Sequence, residues 1–306
     1  MEIGFGAPVS GAWATPQNLA AFAVAAESEG YSSLWSFQRL LIPVGSNMEP
    51  VYQSVLDPMA ALSFAAAVTR RIRLGVAVVN LPFVSPGYLA KQAASVDILS
   101  GGRHDLGLGI GWMPEEFALT GGEMARRGAR TAEYVEVLRK LWSGKPAAYD
   151  GEFYHVPAGT QAPAPVQPDG PPILLGGMAR PALERIGRIG DGWVTSSRTN
   201  LAKIDELIAI VKESAAAAGR DPDGMRIVCR GVVRAGDPVT SEDGERLLLS
   251  GDFDQIRADT EWLGTRGVTE VFYDVNWDPK IGSPDAPADA AAARADEILR
   301  ALAPST

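Results

Sequence analysis

Two spacings of apolar residues alternate along the length of this chain. Short apolar runs predict strands, and each is followed by a longer segment with apolar residues three or four apart, which predicts a helix. The first strand is predicted at 3–5, and the helix after it begins at Thr15-Pro16, an N-cap followed by a first-turn proline. Further strands are predicted at 33–36, 73–79, within 101–116, and at 173–175, 192–194, 227–233 and 268–275. Further helices are predicted at 58–68, 86–100 and 131–142, from 181, and at 201–211, 252–263 and 289–302.

Eight strand–helix pairs predict an α/β fold, a parallel (β/α)8 TIM barrel that forms one domain over 1–306. An open doubly wound sheet is the alternative. Two long connections, 37–56 and 143–172, are expected at the barrel mouth, and the second is an insertion between the fourth helix and the fifth strand. Connections of this length without regular structure are often lids or binding elements.

Three glycines at alternate positions mark the fourth predicted strand. Gly107, Gly109 and Gly111 share one face of the strand, and apolar side chains occupy the other. Because glycine weakens a strand interior, the pattern indicates a crowded barrel interior or the close approach of a flat ligand. No helix is predicted directly after Gly111, which argues against a dinucleotide-binding glycine fingerprint.

Composition and charge narrow the class of protein. The net charge is −9 and no basic cluster carries interleaved aromatic residues, so we expect no nucleic-acid partner. The sequence has no run of about 18 apolar residues and no signal segment before its first strand, so we expect a cytoplasmic protein with no membrane partner. The single cysteine, Cys229, lies in an apolar run and is expected to be buried.

The chain's two histidines and one cysteine form no metal or nucleophile pattern, so no metal site is predicted. His104 begins the fourth strand, at the end opposite the mouth, and is expected to serve the fold. For His155, within 143–172, a surface hairpin and a ligand contact are both open. Neutral and aromatic residues follow the strands instead, which indicates that a cofactor carries the chemistry. They are Trp35, Ser36, Asn80, Gly111, Trp112, Trp193, Thr195 and Ser196.

Two segments near the mouth are candidates for binding an anion. Gly176-Gly177 lies just before a helix, where backbone N–H groups and Arg180 favour a phosphate, although a plain turn fits the pattern equally well. The second segment is basic and precedes the fourth helix. It either binds an anionic cofactor tail or pairs with nearby glutamates. Its arginines are Arg126, Arg127 and Arg130.

Several segments, in order along nearly the whole chain, carry a resemblance to a known family. They are Ser33–Trp35, Arg73–Val78, Leu89–Gln92, Leu99–Arg103, Leu106–Trp112, Glu115–Phe117, Arg127–Arg130, Glu133-Tyr134, Pro171–Ile173, Gly176-Gly177 and Gly190–Trp193. Together they resemble the luciferase-like monooxygenase superfamily, and in particular its coenzyme F420-dependent and flavin-dependent oxidoreductases. The resemblance implies a TIM barrel with a flavin or deazaflavin ring in its mouth, a small-molecule substrate and a homodimer.

The same resemblance implies where the cofactor lies. A non-proline cis peptide is implied at Ala77-Val78 beneath the ring, with Asn80 beside it, and the 143–172 section is implied to cover the substrate in part. The barrel places Gly111 nearest the mouth, where it can meet a ring. The residues expected to bind the cofactor are Ala77, Val78, Asn80, Gly111 and, for its phosphate, Gly176, Gly177, Met178, Thr195 and Ser196.

The chain departs from the family pattern at two places that bear on catalysis. Gln38 and Arg39 stand where many relatives carry Asp-His, and Trp112 stands where sugar-phosphate dehydrogenases carry a catalytic Glu. Oxidation of a sugar phosphate by that mechanism is therefore not expected. Arg39 is permanently charged, so it can hold an anion but cannot carry a proton. The catalytic candidates are Trp35, Arg39 and Trp112.

Three functions fit these observations. The first is an oxidoreductase that transfers hydride between coenzyme F420 and a small organic substrate, because orientation by the protein suffices for that chemistry. The second is a monooxygenase that uses FMN, the alternative cofactor, and O₂. The third is a flavin-binding barrel without catalysis, which the missing Asp-His pair favours.

Overall fold

Eight parallel strands close into a barrel in this computed structural model, which describes residues 1–241 and 244–304. The strands are β1 (Glu2–Gly6), β2 (Ser33–Ser36), β3 (Arg73–Asn80), β4 (His104–Gly109), β5 (Ala147–Asp150), β6 (His155–Gly159), β7 (Ile173–Gly176), β8 (Gly192–Val194), β9 (Arg226–Val232), β10 (Arg234–Ala235), β11 (Ser250–Gly251) and β12 (Glu270–Asp274). The barrel order is β1-β12-β9-β8-β7-β4-β3-β2, while β5 pairs with β6 and β10 with β11. The predicted (β/α)8 barrel is confirmed.

Helices follow the barrel strands and cover the outside of the barrel. They are α1 (Pro16–Ser28), α2 (Pro58–Val68), α3 (Pro86–Ser100), α4 (Pro114–Thr120), α5 (Arg127–Trp142), α6 (Arg180–Ile189), α7 (Ile204–Ala217), α8 (Phe253–Thr265), α9 (Pro279–Gly282) and α10 (Ala288–Ala301). The side chains of Thr15 and Asp57 cap α1 and α2, as the sequence predicts. None of the described helices is long and apolar enough to cross a membrane.

Two helix starts near the mouth differ from the sequence prediction. No helix opens directly after Gly111, as predicted, but α4 begins three residues later, within the 101–116 stretch where only a strand was predicted. α5 begins at Arg127 rather than at about 131. Neither Met113 before α4 nor Arg126 before α5 provides a capping side chain, and Arg126 enters its helix with a positive φ of 54°. The start of α5 therefore carries no capping signal, whereas α4 begins with Pro114 and has two glutamates in its first turn, signals that the sequence prediction did not use.

The glycines of the fourth strand have two different roles. A methyl group at Gly107 would lie 2.0 Å from the carbonyl oxygen of Val76, so glycine is required where β3 and β4 approach each other. The strand ends at Gly109. Gly111 has a φ of +68°, and a methyl group there would lie 3.0 Å from the rings of Phe83 and Phe117. The expectation that Gly111 continues the strand face was therefore wrong.

The barrel end opposite the mouth is closed by a buried charged network. Asp105 accepts hydrogen bonds from Arg73 Nε at 2.8 Å and from Arg226 Nη1 at 2.7 Å. Glu270 accepts from Arg226 Nη2 at 2.9 Å and from Trp35 Nε1 at 2.8 Å. Burial alone raises the pKa of Asp105, but the hydrogen bonds and charges of the two arginines outweigh it and hold that pKa below its ordinary value.

The 143–172 section does not line the mouth. Its β5–β6 hairpin lies on α5, and the chain then descends to the opposite end of the barrel. There the Asp97 carboxylate accepts N–H bonds from Val166 and Gln167, and Gln167 Nε2 donates to the carbonyl oxygen of His104. The expected position at the mouth is therefore only partly correct. The hairpin tip contacts Arg126 and Glu133 at the start of α5, beside the mouth, whereas the later residues of the section lie at the opposite end.

Neither the two histidines nor the cysteine lines the mouth. His104 is fully buried with Nδ1 2.9 Å from the carbonyl oxygen of Leu74, and burial lowers its pKa. His155 is exposed on the β5–β6 hairpin, where it contacts Asp150 at 2.6 Å. Cys229 is buried as predicted, and burial raises the pKa of its thiol to about 12.

Candidate active site at the barrel mouth

The carboxyl ends of the barrel strands surround a cavity of about 380 Å³, here named the mouth cavity. It is lined by Phe37, Gln38, Arg39, Tyr52, Ala77, Val78, Asn80, Gly109–Trp112, Arg127, Gly176–Met178, Val194–Ser197 and Arg230. The structure brings all nine residues expected to bind a cofactor to this cavity, together with two of the catalytic candidates, Arg39 and Trp112. Of the two long connections, only 37–56 contributes to the lining.

Trp35, the third catalytic candidate, is not at the mouth cavity. It is buried in the barrel interior, with its ring stacked 5.2 Å from that of Phe272. Its Nε1 lies 2.8 Å from both Ser33 Oγ and Glu270 Oε1. Trp35 therefore links the apolar barrel interior to the charged network below it, which is a structural task.

One wall of the mouth cavity is made of backbone and small side chains. A non-proline cis peptide joins Ala77 and Val78, as the resemblance implied. The carbonyl oxygen of Ala77 accepts a hydrogen bond from Arg230 Nη1 at 3.3 Å. A methyl group at Gly176 would lie 3.4 Å from Val78 Cγ1. The absence of a side chain at 176 leaves room beside Val78 for the close approach of a planar group.

Arg230 is a lining residue that sequence analysis missed. Its Nε donates to Asp274 Oδ2 at 2.7 Å, and the two side chains are 8% and 2% exposed. The guanidinium lies 4.7 Å from the ring centroid of Phe37, and the backbone N–H of Arg230 donates to Thr195 Oγ1 at 2.9 Å. An arginine inside the apolar run of the seventh strand was the available signal, because arginine is rarely buried without a partner.

Gln38, Asn80 and Gly111 form a chain of hydrogen bonds along the cavity wall. Gln38 Oε1 accepts from the backbone N–H of Asn80 at 2.9 Å and from its Nδ2 at 3.3 Å. Asn80 Oδ1 in turn accepts the N–H of Gly111 at 3.0 Å. These hydrogen bonds orient Asn80 and occupy the Oε1 atom of Gln38. The amide N–H groups of Gln38 are therefore left to donate to a ligand.

Arg39 is held at the mouth cavity from several sides. Its Nη1 lies 2.9 Å from Glu116 Oε2, and the two side chains are only 6% and 2% exposed. The guanidinium carbon lies 4.6 Å from the ring centroid of Tyr52 and 5.2 Å from that of Trp112. Glu116 Oε1 accepts the backbone N–H of Leu40 at 2.8 Å. Arg39 is therefore a fixed group, since its partners restrict its rotamers.

The loop between β7 and α6 offers free N–H groups. α6 has no side-chain cap, and the backbone N–H groups of Met178 and Ala179 have no hydrogen-bond partner among the described residues. Gly177 has a φ of +150°, and its carbonyl oxygen accepts from Trp193 Nε1 at 2.8 Å. The N-terminus of a helix with open N–H groups attracts anions. The expectation of a phosphate region here thus has matching donors.

The basic cluster before α5 divides in the structure. Arg126 pairs with Glu152 and Arg130 with Glu123 on the surface. For these two arginines, the alternative of pairing with nearby glutamates therefore applies. Arg127 lines the mouth cavity and has no carboxylate partner among the described residues. Of the cluster, only Arg127 brings an uncompensated charge to the cavity.

The lining residues set what the mouth cavity can do chemically. Among the described residues that line it there is no histidine, cysteine or carboxylate, and the titratable groups are Arg39, Tyr52, Arg127 and Arg230. The described residues contain no cluster of three or more His, Cys, Asp or Glu able to hold a metal ion. Such a cavity binds and orients a ligand, but it lacks a general base of ordinary pKa and an activated nucleophile.

Comparison with known proteins identifies the family. The sequence model of the luciferase-like monooxygenases matches residues 3–270. The chain belongs to this family. Within the family, the chain is similar to the uncharacterized protein Rv0953c of Mycobacterium tuberculosis, with 33% identity over 295 residues and 93% of each chain covered. The family accounts for the order of the motifs along nearly the whole sequence.

Two further similarities concern proteins whose names state a function. An F420-dependent glucose-6-phosphate dehydrogenase of Gordonia bronchialis is 31% identical over 230 residues, which cover 72% of this chain and 65% of the relative. The solved structure of an F420-dependent secondary alcohol dehydrogenase, in complex with an F420–acetone adduct, has a TM-score of 0.79 and 18% identity over 98% of both chains. At this identity the second similarity shows a shared fold. This luciferase-like barrel thus has the architecture of an oxidoreductase family.

Proposed function

We propose that this protein transfers hydride between coenzyme F420 and a small organic substrate. One observation carries the proposal: Arg127 lines the mouth cavity without a carboxylate partner among the described residues, whereas Arg39 and Arg230 are each paired. An uncompensated cation in a concave site favours an anionic ligand. The open N–H groups of Met178 and Ala179 favour an anion at the same cavity.

F420 is the cofactor that matches these features, because it combines a planar deazaflavin ring with a phosphodiester and glutamate carboxylates. We propose that Ala77, Val78, Asn80 and Gly111 contact the ring. The residues that would hold its phosphate are Gly176, Gly177, Met178, Thr195 and Ser196, and Arg127 would face the anionic tail. A bound deazaflavin supplies the ring carbon that accepts or donates hydride.

The protein's own residues bind and orient the reactants in this proposal. Gln38 donates its amide N–H groups to a bound ligand, and Arg39 and Trp112 contact the substrate. Trp35, which lies below the cavity, takes no part in the reaction. The cavity arginines keep their protons at neutral pH, so the proton that is taken up when the substrate is reduced, or released when it is oxidised, is exchanged with the Tyr52 hydroxyl or with water at the open mouth.

The relationship to the Gordonia bronchialis enzyme, which is named as F420-dependent, supports the choice of cofactor. Its sugar-phosphate substrate is not carried over, because Trp112 stands at the position of the glutamate expected in that branch. We further propose a single-domain, cytoplasmic homodimer, a state that sedimentation velocity tests.

Titration of the purified protein with F420 and with FMN, followed by cofactor fluorescence, tests the proposal. We expect F420 to bind at least about tenfold more tightly than FMN, because Arg127 adds an interaction with the longer anionic tail. Arg127→Gln is expected to weaken F420 binding by about tenfold and FMN binding by less. Arg126→Gln, in an exposed pair, is the matched control. Equal loss in both variants contradicts the assigned role of Arg127.

An FMN-dependent monooxygenase is the second candidate, and the donors around Gly177 are what favour it, because they suit a single phosphate. Tight binding of FMN with no response to F420, followed by O₂ uptake with reduced FMN, selects this function and overturns the hydride proposal. Binding of a cofactor without turnover of any acceptor selects the third candidate, a flavin-binding barrel without catalysis.

A further inference from the structure

Arg39 presents unused hydrogen-bond donors at the mouth cavity. Its Nη1 is committed to Glu116, and its Nε is buried without a hydrogen-bond partner. Its Nη2 has no partner among the described residues and is not among the atoms sealed from solvent. Tyr52 and Trp112 flank the guanidinium, so the direction of Nη2 is set before a ligand arrives. A preorganised donor of this kind contributes more to binding than a mobile one.

We infer that the Arg39–Glu116 pair selects a neutral carbonyl compound as the substrate and discriminates against carboxylates and phosphates. This inference rests on the proposed function, because it names the substrate class of the same cavity. Arg39 donates Nη2–H to the carbonyl oxygen of the substrate. Glu116 is a positioning residue that holds Arg39 and cancels its charge.

Charge explains the preference. The pair carries no net charge, and because Glu116 is only 2% exposed, water and salt screen its carboxylate weakly. An anion that reaches Nη2 is attracted by Arg39 and repelled by Glu116 behind it, and it also loses its hydration. A neutral carbonyl oxygen gains the hydrogen bond while giving up far less hydration. The balance therefore favours the neutral ligand.

The competing account is that Arg39 only anchors the 37–56 connection to α4. Glu116 does accept the backbone N–H of Leu40, which contributes to that anchoring. Anchoring does not require a guanidinium with a free Nη2 on the cavity wall, however. The two accounts differ in a measurable way, because an anchor has no preference between a neutral and an anionic ligand.

Acetophenone and benzoate are suitable probes, because they have the same number of heavy atoms and differ in charge. Binding is measured in the full-length protein saturated with F420, so that the anionic tail of the cofactor occupies Arg127, by NMR of the Arg39 Nε–H signal. In the wild type, we expect acetophenone to bind at least about tenfold more tightly than benzoate. Its binding should also shift the Arg39 Nε–H signal. Equal or tighter binding of benzoate in the wild type overturns the inference, and this outcome needs no variant.

Variants then separate the two members of the pair. Glu116→Gln keeps an oxygen for the N–H of Leu40 but leaves Arg39 with a net charge, so benzoate is expected to bind about tenfold more tightly while acetophenone changes little. Arg39→Met removes the donor and is expected to weaken acetophenone about tenfold. Glu136→Gln, in an exposed pair with Lys140 on α5, is the matched control and should alter neither affinity.

The possible results bear separately on the two proposals. Unchanged selectivity in a folded Glu116→Gln protein overturns the role of Glu116, and unchanged acetophenone binding in Arg39→Met overturns the role of Arg39. A protein that binds F420 but prefers benzoate contradicts this inference alone. A protein that binds neither F420 nor FMN contradicts the proposed function, whichever probe it prefers.

Discussion

Asp274 Oδ2 lies 2.7 Å from Nε of Arg230, and this buried ion pair stands between the last two barrel strands in the chain, directly beside the mouth cavity. Asp274→Asn leaves the guanidinium of Arg230 buried without its counter-charge. We expect the free energy of unfolding to fall by about 3–5 kcal/mol, as for other broken buried pairs. Urea denaturation measures the change. Asp296→Asn, in an exposed pair with Arg300, is the control, and a similar small loss in both variants would argue against this reasoning.

Gly176 provides a test of the flat cavity wall. A methyl group at this position would lie 3.4 Å from Val78 Cγ1 and 3.6 Å from the carbonyl oxygen of Leu108, which are ordinary contacts. Gly176→Ala should therefore fold with nearly unchanged stability, yet weaken F420 binding by about tenfold because the methyl group occupies space beside Val78. Gly87→Ala has no atom within 4 Å of the added carbon and serves as the control. Unaltered F420 affinity in Gly176→Ala would remove this glycine from the cofactor site.

Substitution of Trp35 and of Trp112 should show that the first has a structural role and the second a ligand-binding role. Trp35→Phe deletes an N–H that bonds to Glu270, so we expect a loss of about 1–3 kcal/mol in stability and F420 affinity within about twofold of the wild type. Trp112 is 51% exposed and lines the cavity, so Trp112→Phe should keep the stability and weaken acetophenone binding. Thermal unfolding and probe titration distinguish them. An effect of Trp35→Phe on ligand affinity as large as that of Trp112→Phe would return Trp35 to the site.

His104 predicts a pH dependence of stability. Burial lowers its pKa from 6.5 in the native state, so below pH 6.5 the unfolded chain binds a proton that the native protein does not. The free energy of unfolding contributed by this residue is complete above pH 6.5 and falls as the pH decreases, by at most about 1.4 kcal/mol per pH unit. Urea denaturation between pH 7 and pH 5 measures the slope. His104→Asn, which retains a donor for the carbonyl oxygen of Leu74, should show a smaller slope, and an identical slope would contradict the assignment.

The element order was predictable because local signals dominate it. Thr15 and Asp57 cap their helices as expected, and alternating apolar runs correspond to barrel strands. The early start of α5 lacks such a signal, since Arg126 is an unusual N-cap residue. The seven-residue helix α4 was missed although Pro114 and two first-turn glutamates mark its start. Gly111 was wrongly predicted to continue the strand, because the alternating pattern of glycines does not show where the strand ends.

The family resemblance predicted which residues line the mouth cavity. It did not predict the side chains that contact and orient residues of the cavity wall. Arg230, Tyr52 and Glu116 were missed, because each acts through a contact with a residue distant in sequence. Trp35 was assigned to the mouth because it ends a strand, but its side chain points into the barrel interior. The register of neighbouring strands decides such a direction, and one strand alone does not contain it.

The sequence by itself determined the barrel, the strand ends that meet at its mouth and the scarcity of acids and bases among them, because these depend on local periodicity and residue type. Only the tertiary structure decided which charges at the mouth are cancelled. Glu116 neutralises Arg39 and Asp274 neutralises Arg230, while Arg127 stays without a carboxylate partner among the described residues. The physical reason is that the Coulomb energy of an ion pair depends on distance and burial, and both arise only when separate strands and helices come together.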